Sequence, residues 1–189
     1  MKRLFPSLPA NAGLAEVFQA HPDTIAPLLD YHDRLLRAPG ELDIAARELI
    51  AAYVSGLNAC QFCYGAHVIH AKAWGIAPET VEALLADPAT APVEEKLKPI
   101  LAYVAKLTQS PAMMTEADAQ AVYDAGWSEA ALFTAVQTCA LFNFMNRILE
   151  GCGVGSYPEA VDAVDADGLA QRRSLTSYTA FGQRIGVMG

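Results

Sequence analysis

Helical periodicity between capping residues is the feature that most constrains how this chain folds. After Asp43, a suitable N-cap, apolar residues recur at the i, i+1, i+4, i+5 and i+8 spacing of a helix face. Gly56 and Asn58 are suited to end this helix, and we expect Asn58 also to cap the next one. The apolar positions are Leu49, Ile50, Tyr53, Val54 and Leu57.

The same signals recur through the rest of the chain. Gly75 is expected to stop the second helix near Trp74, and Pro78 suits the first turn of a third. Later helices are predicted over 94–107, 115–126, 128–151 and 169–185. Because the sequence carries no strand pattern, we predict an all-α fold, a single-domain helical bundle of antiparallel helix pairs joined by short loops.

The chain carries little charge, which bears on its assembly. Charged residues are 18% of the 189 residues and hydrophobic residues are 53%, whereas typical proteins have ~25% charged residues. We therefore expect a homo-oligomer that buries more surface than one protomer can, with simple alanine richness as the alternative. The net charge of −8 and the lack of any Lys or Arg run disfavour nucleic-acid and anionic-membrane partners.

The sequence also bears on location. The first residues, Met1 to Pro9, include two cations, but Pro6 interrupts any apolar segment, so we expect no signal peptide. No apolar stretch approaches the ~18 residues of a membrane span. We therefore expect a cytoplasmic protein, in which a C-x-x-C pair is more typical of a redox or metal site than of a structural disulfide.

A C-x-x-C-x-x-x-H motif is the main functional signal. Cys60, Cys63 and His67 fall on one face of the predicted second helix, with the Cβ atoms of the two cysteines ~5–6 Å apart. Such a pair can form and open a disulfide without refolding. The helix N-terminus favours a thiolate on Cys60, whereas His67 favours one on Cys63. Giving the neighbouring base more weight, we expect Cys63 to be the nucleophile.

Glu48 lies on the preceding helix, which a short loop folds against the motif helix. A carboxylate there would orient His67 or relay a proton through water. The alternative is a solvated surface glutamate, because Glu is rarely buried unless it is paired. Its neighbours are small: Ala45, Ala51, Ala52 and Ser55.

Metal binding is the main alternative for the motif itself. Its possible ligands from Cys60 to His70 share one helix, and at 1.5 Å per residue the outer two are ~15 Å apart, so they cannot surround one ion. A zinc site would need ligands from elsewhere, and we expect no metal. The remaining candidates are interpreted as a polar core or interface residue (His70), a small buried apolar residue (Cys139) and a loop thiol (Cys152).

Together these residues resemble a known family. Glu48 followed by Cys60-x-x-Cys63-x-x-x-His67 is similar to the alkylhydroperoxidase D-like branch of the carboxymuconolactone decarboxylase superfamily. Segments 46–75, 125–128 and 142–147 resemble that family and its peroxidase-related subgroup. The likeness covers roughly residues 20–155, the core of one domain over 1–189 that ends in a C-terminal helical extension.

The resemblance implies an activity and a set of roles. The activity is reduction of hydroperoxides by thiols, without metal, flavin or other cofactor, in a helical dimer, trimer or hexamer. Cys63 would be the peroxidatic cysteine and Cys60 the resolving one, with His67 and Glu48 as the proton relay. A dithiol of thioredoxin or lipoyl type would supply electrons. Phe62 stands where alkylhydroperoxidase D itself has a second histidine, which removes one proton donor.

Two other functions remain open at this point. A decarboxylase-type lyase is possible on the same scaffold, although that chemistry does not need a C-x-x-C pair. A non-catalytic, redox-sensing oligomer would use the disulfide as a switch. Turnover of a peroxide with a dithiol donor separates the peroxidase from the sensor.

Overall fold

The computed structural model describes residues 4–174 and 177–189. Within them the chain forms ten α-helices and no β-strand, so the predicted all-α class is confirmed. None of the helices in these ranges is long and apolar enough to cross a membrane. Two predictions extend beyond these ranges. The expected absence of a signal peptide includes residues 1–3, and the predicted last helix includes residues 175–176, which lie outside the described residues.

The helices follow one another with mostly short connections, among which are 3₁₀ turns at Glu95–Leu97, Pro111–Met113 and Val161–Ala163. The α-helices are α1 (Leu14–Gln19), α2 (Pro22–Leu36), α3 (Ile44–Leu57), α4 (Gln61–Ala73), α5 (Pro78–Ala86), α6 (Lys98–Gln109), α7 (Glu116–Asp124), α8 (Glu129–Cys152), α9 (Ala166–Ser174) and α10 (Tyr178–Arg184).

The helix ends around the motif are partly as predicted. The Asp43 carboxylate accepts a hydrogen bond from the Ala46 backbone N–H at 2.8 Å and caps α3. Asn58 ends α3 but does not cap α4, whose N-cap is Cys60. That prediction is wrong because Ala59 adopts a left-handed conformation, with a φ of 55°. Helix α4 therefore begins two residues later than expected, with Cys60 as its N-cap.

Helix α3 is the centre of the bundle. It packs against α4, α5, α6 and α8, and every residue over 46–55 is buried. The small residues Ala51 and Ala52 let its neighbours approach closely. Arg47 and Glu48 are the charged residues of this buried stretch, and Arg47 donates to backbone carbonyls of α2 and the α2–α3 connection. Glu48 is left to pair with side chains.

The C-terminal segment closes one side of the bundle. The single helix predicted over 169–185 is two shorter ones, with α9 packed on α4 and α10 on α2. The Asp33 carboxylate accepts hydrogen bonds from the backbone N–H groups of Tyr178 (2.6 Å) and Thr179 (2.9 Å) and so caps α10. Arg173 donates to the Ala73 carbonyl at 2.9 Å. The extension is thus fastened both to α2 and to α4, the helix that carries Cys63 and His67.

Candidate active site

Glu48 is completely buried at the junction of three helices. Its side chain is 0% exposed. One carboxylate oxygen, Oε1, lies 2.5 Å from Nη1 of Arg37, and the other, Oε2, lies 2.6 Å from Nδ1 of His67. The interpretation of Glu48 as a solvated surface glutamate is therefore wrong, and the predicted approach of Glu48 to His67 is observed.

The two partners of Glu48 decide its charge. Burial opposes ionisation, but the pKa of Glu48 is held well below its usual range by His67 and by the Arg37 guanidinium. A charged Glu48 accepts the Nδ1–H of His67 and fixes the ring, which leaves Nε2 as the nitrogen for proton exchange. Arg37 was missed by sequence reasoning, because it follows the end of α2 and no spacing links it to the motif.

The two cysteines of the motif are free thiols in unequal positions. Cys60 is the N-cap of α4, whereas Cys63 lies in its first turn. Their exposed fractions are 0% and 3%. The Cys63 thiol and the Cys63 backbone N–H both donate to the Cys60 sulfur and lower the pKa of Cys60. The hydrogen bond to Cys60, together with burial, raises the pKa of Cys63.

The expected order of acidity is therefore wrong for the resting pair. Cys60, rather than Cys63, is the sulfur on which a negative charge is favoured. The main physical reason is the hydrogen bond from the Cys63 thiol to the Cys60 sulfur, to which the Cys63 backbone N–H adds a smaller contribution.

Two further histidines surround His67, and both are held neutral. Burial lowers the pKa of His32 to about 4, although its Nδ1–H donates to the Leu28 carbonyl at 2.8 Å. Burial also lowers the pKa of His70 to about 4, and the Nδ1 of His70 makes no hydrogen bond within the described residues. The ring of Phe142 packs edge-on against His67 with centroids 4.3 Å apart. His67 thus lies among buried histidine and aromatic rings.

A cavity of about 860 Å³ adjoins these groups. Cys63, His67 and His70 line it, whereas Cys60 and Glu48 lie behind its wall. His70, expected to be a core or interface residue, is therefore a wall residue of this cavity. Much of the remaining wall is apolar and includes Phe18, Leu29, Phe62, Phe142, Met145 and Leu149.

The C-terminal extension supplies another part of the wall. Tyr178 is half-buried and packs against His32, with ring centroids 4.8 Å apart, and the Arg37 guanidinium lies 5.0 Å from the Tyr178 ring centroid. Tyr157 packs on Phe62 at 5.2 Å between centroids. The extension therefore contacts the partners of Glu48 and helps to enclose the dithiol.

The other candidate residues lie apart from this chemistry. Within 4–174 and 177–189, no group of three or more His, Cys, Asp or Glu side chains is arranged to hold a metal ion. Cys139 is buried as expected and contacts the Thr108 hydroxyl at 3.2 Å. Cys152 is the last residue of α8 rather than a loop residue.

Comparison with known proteins gives a family match over the part of the chain that contains this site. Residues 22–105 match the model of the Carboxymuconolactone decarboxylase family, a stretch that runs from α2 into α6 and includes all four motif residues. No curated protein matches the chain.

Two solved structures share the fold. One, from Silicibacter sp. TM1040, is an uncharacterized peroxidase-related protein, 25% identical, with a TM-score of 0.65 over 73% of this chain and 71% of that one. The other, from Ralstonia eutropha JMP134, is described as an alkylhydroperoxidase AhpD core and an uncharacterized peroxidase-related protein. It is 22% identical, with a TM-score of 0.70 over 76% of this chain and 75% of that one. Residues 22–105 are thus similar to the carboxymuconolactone decarboxylase family, and the fold is similar to that of the two peroxidase-related structures, in agreement with the resemblance to the alkylhydroperoxidase D-like branch.

Proposed function

We propose that this protein is a thiol-dependent peroxidase that reduces organic hydroperoxides through the Cys60–Cys63 dithiol. The observation that carries the proposal is the position of Cys63, which meets a large apolar cavity while it hydrogen-bonds a buried partner thiol. A cavity of about 860 Å³ is far larger than hydrogen peroxide needs and suits a ligand with an apolar body.

The first step is attack by Cys63. Because the Cys63 thiol donates to Cys60, its proton can pass to the Cys60 sulfur as the peroxide approaches. The Cys63 thiolate forms a bond to the terminal peroxide oxygen, and the O–O bond breaks. Cys63 becomes a sulfenic acid, and the alkoxide leaves as an alcohol after taking a proton that solvent delivers through Nε2 of His67, whose Nδ1–H Glu48 holds in place.

The second step closes the cycle. The Cys60 thiol attacks the Cys63 sulfenic acid, which releases water and forms the disulfide. An external dithiol, of thioredoxin or lipoyl type, then reduces the disulfide by exchange and is itself oxidised. Over the cycle, the peroxide gains two electrons and the donor loses two. We place this reaction in the cytoplasm, where such donors are kept reduced.

We also propose that the protein works as a homo-oligomer. Phe133 and Phe144 on α8 are 60% and 49% exposed. They are separated by eleven residues, about three helical turns, and so lie on the same face of the helix. Large exposed aromatic side chains on one helix face are typical of a surface that another subunit covers.

The test is peroxide consumption under steady turnover. The reduced protein is mixed with cumene hydroperoxide and excess dithiothreitol, and the loss of peroxide is followed. We expect multiple turnovers, abolished in Cys63→Ser and retained in Cys152→Ser, a matched loss of a thiol outside the cavity. A single oxidation of the dithiol without turnover would instead favour the redox sensor.

A further inference from the structure

His67 and His70 line the same cavity from α4. Their ring centroids lie 5.8 Å apart, with the ring planes at 39°, and Cys63 lines the cavity beside them. The proposed function assigns proton exchange to His67 and gives no task to His70. His70 nevertheless carries a buried ring nitrogen, Nδ1, that makes no hydrogen bond within the described residues.

This buried nitrogen decides where His70 carries its proton. Burial lowers the pKa of His70 to about 4, so the ring is neutral near pH 7 and has a single N–H. A proton on Nδ1 would leave a buried donor without an acceptor, which is unfavourable. The proton therefore belongs on Nε2, the ring nitrogen that is left to meet the cavity.

The two histidines thus offer the cavity different groups. Glu48 accepts the Nδ1–H of His67 at 2.6 Å, so Nε2 of His67 is the nitrogen that takes up or releases a proton. His70, in contrast, is a fixed N–H donor, because its low pKa keeps a second proton off the ring.

The face of α4 between Cys63 and His70 is open. Ala66 is the residue between them in the i, i+3, i+7 row, and its small side chain lines the same cavity. At 1.5 Å per residue, His70 lies roughly 10 Å along the helix axis from Cys63. Helical side chains tilt toward the N-terminus, which brings the ring of His70 back over Ala66 toward the thiol.

The direction of attack on a peroxide matches this arrangement. The sulfur attacks in line with the O–O bond, so the leaving oxygen lies on the far side of the attacked oxygen. With the sulfur ~3–3.5 Å from the attacked oxygen and a hydrogen bond of ~2.9 Å to the leaving one, a donor to the leaving oxygen stands roughly 6–7 Å from the sulfur. A ring two helical turns beyond Cys63 and tilted back toward it lies on that side.

We propose that His70 is a catalytic hydrogen-bond donor whose Nε2–H binds the peroxide oxygen that leaves as the alkoxide. The inference rests on the proposed function, because it needs Cys63 to attack a hydroperoxide. His70 keeps its own proton throughout, and the alkoxide is protonated through His67. A fixed donor at the oxygen on which charge develops stabilises the transition state without changing the acidity of the thiol.

The test separates the leaving oxygen from the thiol. Reduced protein is mixed with cumene hydroperoxide in a single turnover, and formation of the Cys60–Cys63 disulfide is followed by the loss of free thiols. His70→Leu should lower the second-order rate constant about 10- to 100-fold, the range for one hydrogen bond to a charged oxygen. Alkylation of Cys63 by iodoacetamide, in which no alkoxide leaves, should stay close to the wild-type rate.

Two isosteric variants identify the atom that acts. The side-chain nitrogen of glutamine can occupy the place of Nε2, so His70→Gln should keep most of the rate. The shorter His70→Asn places its amide near Nδ1 and should be as slow as His70→Leu. Equal rates in His70→Gln and His70→Leu would overturn the proposal. His21→Leu, the same change at an exposed histidine outside the cavity, is the control and should leave the rate unchanged.

A measurement on the wild-type protein covers the case in which the variants do not fold. Nitrogen-15 NMR of histidine-labelled protein at neutral pH should show His70 as the Nε2–H form, and an Nδ1–H ring or an imidazolium would refute the proposal. Failure of the proposed function is a separate result. A wild-type protein that does not react with the peroxide refutes both, whereas wild-type oxidation that His70→Leu leaves unaltered refutes this inference alone.

Discussion

The Nδ1 atom of His67 lies 2.6 Å from Oε2 of Glu48, although nineteen residues separate the two in the chain. Both side chains are buried, and the second carboxylate oxygen is occupied by Arg37. The motif histidine is therefore part of a buried charge network and does not act as an isolated base. Changes to any member should affect both reactivity and stability.

Replacing the carboxylate tests that network. Glu48→Gln should slow alkylation and peroxide reduction, because His67 loses the acceptor that fixes its ring. It should also lower the free energy of unfolding by about 3–5 kcal/mol, since the buried carboxylate that forms an ion pair with Arg37 is lost. Urea denaturation and stopped-flow kinetics at a temperature where the variant is folded measure the two effects. Glu82→Gln, on an exposed face of α5, is the control, and equal effects of both variants would contradict the role of Glu48.

Trapping of the sulfenic acid tests which thiol meets the peroxide. Cys63 lines the cavity and Cys60 does not, so Cys60→Ser should accumulate a sulfenic acid on Cys63 that a dimedone probe labels. Cys63→Ser should give little label, and both variants should lose turnover. Labelling in Cys63→Ser alone would mean that the more acidic Cys60 is the nucleophile and that peroxide reaches it by another route.

Acid should destabilise the protein at pH values well above those at which carboxylates titrate. The pKa values of His32 and His70 are lowered to about 4, whereas an unfolded histidine has a pKa of ~6.5. Between these values the unfolded chain binds more protons, so the free energy of unfolding should fall as pH decreases, by up to ~1.4 kcal/mol per pH unit for each histidine. Denaturation at pH 7, 6 and 5 measures the slope. His70→Leu should make it shallower, and an unaltered slope would show that His70 is protonated in the folded state.

The exposed aromatic face of α8 predicts assembly. Size-exclusion chromatography with light scattering should give a mass larger than the 20.2 kDa of one chain. The double variant Phe133→Ser/Phe144→Ser should dissociate to monomers, because it removes the apolar area that a second subunit would cover. Met113→Ser changes an exposed apolar residue away from α8 and should leave the mass unchanged. A monomeric wild-type protein at micromolar concentration would contradict this prediction.

Local signals explain what could be predicted from the sequence. The cap at Asp43, the proline at Pro78 and the stop at Gly75 act within a few residues, and the structure follows all three. Helix α2 was not predicted, because its N-cap is His21, which makes no capping bond, and Pro27 interrupts its pattern.

Other parts of the site depend on contacts that spacing does not encode. Arg37 and Tyr178 reach the network through the packing of α2 and α10, and nothing in the motif indicates either residue. The relative acidity of Cys60 and Cys63 depends on the direction of the hydrogen bond between the two thiols, which lowers the pKa of Cys60 and raises that of Cys63. Residue spacing places the two thiols together but does not indicate which of them donates.

The cap that Asp33 places on α10 joins positions 145 and 146 residues apart in the chain. The dithiol, its histidine and its glutamate, in contrast, all lie within residues 48–67. During synthesis, helices α3 and α4 can meet long before α10 has left the ribosome, because contacts distant in sequence form late. The nascent dithiol is consequently open to the surrounding thiol pool before its C-terminal wall exists. Only the finished chain has the wall that limits what reaches the Cys63 sulfur.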